Sequence, residues 1–128
     1  MAGKGRNQVQ RILLVDDDPM VRAVLRESLQ AFGYAVVAAE NGRKAIDIFQ
    51  RMRSSISLLI TDIRMPEMDG VALIRRIRAI DPELPIVVIT AHADEAELAE
   101  TEQQRTALFV KPLRFTDLEA LLRLIGER

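Results

Sequence analysis

Apolar positions along this chain fall into two alternating rhythms. Short unbroken aliphatic or β-branched runs occupy residues 12–15, 35–39, 58–61, 86–90 and 108–111, and continuous runs of this length suit strands buried on both faces, as in parallel sheets. Between them apolar residues recur at i, i+3, i+4 and i+7, the spacing of a helix that buries one stripe. Val21, Leu25, Ser28, Leu29 and Phe32 form the first such stripe; Ala45, Ile48, Phe49 and Met52 the second; Leu73, Ile74, Ile77 and Ile80 the third. Residues 94–107 predict a fourth helix with a thin apolar face of Ala96, Leu98 and Ala99. A last helix should bury Leu118, Leu121, Leu122 and Ile125 and end at Gly126. Helix starts are marked by Asp18 ahead of Pro19, by Asn41, by Asp69, and by Thr116 with Glu119 three residues on, a capping-box spacing.

Strand and helix alternating five times predicts a doubly wound α/β domain, a five-stranded parallel sheet with five helices on its two faces. At 128 residues, 48% of them hydrophobic, the chain fits one such domain over residues 11–126, with residues 1–10 as a tail and no room for a folded output domain in this chain. Eighteen Lys+Arg against 19 Asp+Glu give a net charge of −1, so no basic field gathers nucleic acid or an anionic membrane. Cysteine is absent, which removes thiolate chemistry. With no apolar run of ~18 residues and no apolar stretch in residues 1–10, the expectation is a cytoplasmic protein.

In doubly wound sheets ligands bind beyond the carboxyl ends of the strands. Here those ends are rich in charge: Asp16, Asp17 and Asp18 after the first strand, Asp62 after the third, Thr90 closing the fourth, Lys111 then Pro112 after the fifth. Two ionised carboxylates ~5 Å apart at an effective dielectric of ~20 repel by roughly 3 kcal/mol, so the rim needs cations. A hard divalent ion such as Mg²⁺ suits few carboxylates plus water and phosphate oxygens. Lys111 supplies a fixed positive charge. Carboxylate nucleophile, metal, lysine and hydroxyl together describe a site for a phosphoryl group.

Four motifs carry a resemblance: ILLVDDDP at 12–19, LLITDIRMPEMDG at 58–70, PIVVITA at 85–91 and FVKPL at 109–113. In this order, at strand ends, they resemble the response-regulator receiver family of two-component phosphorelays, over Arg11 to about Ile125. The resemblance implies a flavodoxin-like strand order 2-1-3-4-5. It implies Asp62 as phosphoacceptor and Mg²⁺ held by Asp16, Asp17, Asp62 and the backbone carbonyl of Arg64. Thr90 would donate to the phosphoryl group and Lys111 would pair with it. It further implies a sensor histidine kinase or phosphotransfer domain as donor, slow autodephosphorylation, and no enzymatic activity beyond the domain's own phosphorylation and dephosphorylation. An output partner would meet the face made by the fourth helix, fifth strand and fifth helix. Arg64 and His92, two residues past Asp62 and Thr90, would flank the path of an attacking water and tune that lifetime. Leu108 stands where receivers usually carry an aromatic ring that turns inward on activation.

Plainer readings compete at several positions. Asp18 reads as a helix cap only, and His92 as a loop residue rather than a phosphodonor. One cap does not need three acids, so Asp16 and Asp17 call for another explanation. A phosphohydrolase of the haloacid dehalogenase type would want a second acid two residues after the nucleophile and a threonine two beyond. Asp62 is followed by Arg64 and Pro66, and Asp16 by Asp18 and Met20. No glycine-rich turn follows a strand, which excludes a dinucleotide fold. A scaffold that binds a partner without phosphorylation is opposed by the intact Asp16, Asp17, Asp62, Thr90 and Lys111.

Overall fold

The computed structural model describes residues 11–91, 106–111 and 114–126. Within them run β1 (Arg11–Val15), α1 (Pro19–Ala31), β2 (Ala35–Ala39), α2 (Gly42–Met52), a 3-10 turn (Arg53–Ser55), β3 (Ile56–Thr61), α3 (Gly70–Ile80), β4 (Ile86–Thr90), β5 (Thr106–Val110) and α4 (Phe115–Gly126). The five strands form one parallel sheet in the order β2-β1-β3-β4-β5, the doubly wound flavodoxin-like architecture. The helix expected within 94–107 lies almost wholly outside the described residues, and its last two positions, 106 and 107, belong to β5.

Both faces of the sheet are covered, which is why the strands read as unbroken apolar runs. Leu13, Val15, Leu59 and Val88 turn toward one face and pack with Ala45, Ile46, Phe49, Leu73, Ile74 and Ile77 from α2 and α3. Ile12, Leu14, Leu58, Ile60, Val87 and Ile89 turn to the other and pack with Leu25, Leu29 and Leu121 from α1 and α4. At roughly 25 cal/mol per Å² of apolar area removed from water, these two layers are the main source of stability.

Three of the four expected caps stand: Asp18 accepts from the Met20 amide, Asn41 from Lys44 and Asp69 from Ala72. Two details differ. Phe32 is 64% exposed rather than part of the α1 stripe, because α1 stops at Ala31 and the chain reverses through Gly33 at φ +96°. The Gly33 amide donates to Gln30 and the Tyr34 amide to Leu29, a Schellman closure that packs the half-buried Tyr34 against the α1 side and turns Phe32 outward. Thr116 is not a cap. α4 begins at Phe115, and the Asp117 carboxylate reaches back to the Arg114 amide, the reciprocal half of a capping box two residues earlier.

The segment from Asp62 to Gly70 ties the end of β3 to the start of α3. A Cβ added to Gly70 would lie 2.1 Å from the Asp62 carbonyl oxygen, so the first turn of α3 rests directly on the strand end and only glycine fits. Between them Glu67 sits at φ +72°, with the Met68 amide donating 2.8 Å to the Pro66 carbonyl. That is a three-residue turn whose central side chain is strained. Glu67→Gly is therefore expected to raise the unfolding free energy by about 1 kcal/mol over Glu67→Ala, which keeps the strained Cβ. Urea unfolding of both variants checks this; a glycine variant less stable than the alanine one contradicts it.

Candidate phosphoryl-transfer site

At the carboxyl rim of the sheet, three strand ends bring their charges together. The Asp16 amide donates to Ala39 of β2, and the Asp62 amide donates to Val15 of β1. These bonds extend the ladder one step past each strand and fix both aspartates. Asp16 and Asp62 are buried at 2% and 7% exposure, whereas Asp17 faces solvent. Ligand oxygens of Asp16, Asp17 and Asp62 all lie within 4.8 Å of one another.

Lys111 closes the site from β5. Its amide donates 2.7 Å to the Thr90 carbonyl, which holds it one residue past the strand and next to the end of β4. Its ammonium nitrogen lies 2.8 Å from Asp62 Oδ2 and 3.0 Å from Asp16 Oδ2. The remaining oxygens are also engaged: Asp62 Oδ1 accepts from the Ile63 amide at 2.6 Å and Asp16 Oδ1 from the Asp18 amide at 2.9 Å. Thr90 is fully buried at the end of β4.

Burial pushes the Asp16 carboxyl above the ordinary carboxylate value, against the Asp18 amide and Lys111, which favour its ionised form. For Lys111, burial works downward but is outweighed by hydrogen bonds and attraction from Asp62 and Asp16, so its ammonium is held above the usual lysine value. Three carboxylates against one ammonium leave a net negative pocket, partly open at Asp17. Such a donor set fits a hard divalent cation.

Of the residues singled out from sequence, the structure gathers Asp16, Asp17, Asp62 and Lys111 at one point, with Thr90 alongside. Asp18 is only a cap. Arg64 is exposed in the loop two residues beyond Asp62. His92 lies outside the described residues. Leu108 is half-buried opposite Val88 on the α2/α3 side, and Phe109 faces the α1/α4 side. Two residues were missed. Arg22 donates 2.8 Å to the Asp16 carbonyl, and the Thr61 hydroxyl donates 2.8 Å to the Asp62 carbonyl. The available signal was a polar residue closing the aliphatic run of β3, next to the acid.

A family model described as the response regulator receiver domain matches residues 12–123. The chain belongs to that family. It is thus a receiver domain, the phosphoacceptor module of two-component signalling. It is 41% identical over 111 residues to the response regulator receiver protein CpdR of Brucella abortus, covering 86% of this chain and 91% of that one. It is 36% identical over 117 residues to the transcriptional regulatory protein GlrR of Escherichia coli, covering 91% of this chain but 25% of that protein, so it spans about a quarter of that relative's length. Among solved structures it resembles the response regulator protein TrrA of Thermotoga maritima in complex with Mg²⁺–BeF, at 31% identity and a TM-score of 0.78, covering 91% and 99% of the two chains. No helix among the described residues of this receiver domain is long and apolar enough to cross a membrane.

The raised Asp16 pKa has a measurable sign. A carboxyl whose folded pKa exceeds its unfolded value binds protons more tightly when folded. Its contribution is therefore fully present below the unfolded pKa and is lost as pH rises through the folded one. In chelator, Asp16→Asn is expected to melt above wild type at pH 7, with the gap narrowing toward about pH 4, near the unfolded aspartate value. Thermal melts across that range decide it; a gap that widens on acidification contradicts the burial argument.

Proposed function

We propose that Asp62 is the phosphoacceptor of this receiver and that Lys111, Thr90, Asp16 and Asp17 serve its chemistry. The observation that carries the reading is the single Lys111 ammonium bonded to both Asp16 and Asp62. An Asp62 oxygen attacks the phosphorus of a phosphohistidine on a sensor kinase or phosphotransfer domain. The new P–O bond forms as the P–N bond breaks, and that bond's electron pair returns to the imidazole. Asp16, Asp17 and Asp62, with the Arg64 carbonyl, would hold Mg²⁺, which when bound supplies charge neutralisation for the incoming phosphoryl oxygens. Once Asp62 carries the phosphoryl group as an acyl phosphate its carboxylate charge is gone, so the Lys111 ammonium turns to the phosphoryl oxygens, and the buried Thr90 hydroxyl donates to the same group. Water later cleaves the P–O bond, releases inorganic phosphate and restores Asp62. The domain thus catalyses only its own turnover, in the cytoplasm. Its output passes through the face containing β5 and α4 to a partner or output domain.

Incubated with Mg²⁺ and acetyl phosphate, wild type is expected to gain one phosphoryl group by intact mass, and Asp62→Asn none. Modification that survives the substitution, or proceeds equally in chelator, would sink the assignment. Arg64, exposed beside Asp62, stands on the approach of the hydrolytic water. Arg64→Ala should change the decay rate of the phosphorylated form more than its yield, and unchanged decay of isolated phosphoprotein removes that role.

A further inference from the structure

Resting on Asp62 as the acceptor, we infer that Thr61 is a positioning residue that decides which Asp62 carboxylate oxygen faces the incoming phosphoryl group. Sheet pairing of β3 ends at Thr61, opposite Val15 and Val88, so the peptide joining Asp62 to Ile63 lies past the ladder and needs other anchors. Both of its ends are held. Its carbonyl accepts 2.8 Å from the fully buried Thr61 hydroxyl. Its N–H donates 2.6 Å to Asp62 Oδ1. A peptide is planar, so orienting the carbonyl orients the N–H, and the N–H in turn ties Oδ1. The carboxylate is then left with Oδ2 toward Lys111.

Gly70 brings α3 against the same peptide. A side-chain carbon there would lie 2.1 Å from the same carbonyl oxygen, so α3 covers the peptide closely and Thr61 occupies the donor position next to it. Without the hydroxyl, the buried carbonyl loses its donor and the peptide can tilt, which frees Oδ1 from the Ile63 amide. The resting carboxylate then samples more than one orientation, and misaligned nucleophiles react slowly.

Two substitutions separate this role from plain packing. Thr61→Val keeps the buried methyl volume and removes the donor; Thr61→Ser keeps the donor and removes a methyl. Phosphorylation by acetyl phosphate at saturating Mg²⁺ is expected to slow about tenfold in Thr61→Val, the scale of one buried hydrogen bond, and to stay near wild type in Thr61→Ser. The Ile63 amide proton resonance, read by NMR without donor or metal, should move upfield in the valine variant alone. Rates that follow melting temperature, or an unmoved Ile63 resonance in Thr61→Val, overturn the inference. Absence of phosphorylation in wild type would instead sink the acceptor assignment, while the Ile63 resonance still decides the positioning.

Discussion

The arrangement at the rim depends on one half-buried ammonium serving two buried carboxylates. Without Lys111, Asp16 and Asp62 would face each other inside a low-dielectric pocket, and the chain would have to protonate one or admit another cation. Such a pair is weak as a stabilising device, because desolvation of three charges offsets most of their attraction. Its value lies in placement. Lys111 reaches both acids only because its amide is pinned to Thr90 and β5 keeps register with β4 from Ile86 opposite Thr106 to Thr90 opposite Val110. A slip of one residue would send the lysine to the other face of the sheet.

That costly rim is sustained from below. Leu13, Leu14, Val15, Leu59, Ile60, Val87 and Val88 are at most 2% exposed, and the strand ends inherit their rigidity. The same division explains what was legible in the sequence. Strand order and helix faces follow from unbroken apolar runs alternating with a helical period, both long-range patterns. The site was legible because an aliphatic run that ends in acid is rare and points its carboxylates to one rim. Phe32 and Thr116 were misplaced because helix ends are decided locally, by Gly33 turning the chain and by Asp117 reaching back to an amide. Thr61 and Arg22 escaped for a different reason: both act on backbone carbonyls, and a pattern of side-chain types carries no record of where a carbonyl lies.

The pairing of β4 with β5 also limits how an event at the rim can travel. Thr90 and Val88 point to one face of the sheet, and their partners Val110 and Leu108 share it. Any shift of Thr90 toward a phosphoryl group is thus felt by a short apolar row rather than by a single ring. Leucine offers less area than an aromatic side chain, and a conformational bias can be no larger than the difference in interaction between two states. Phe109 cannot take over, since it faces the α1/α4 layer. If position 108 carries the event outward, its lever is a modest packing change against the α2/α3 layer. Such a change would have to be gathered over several contacts, and Val110 is the member of the row that is exposed to solvent.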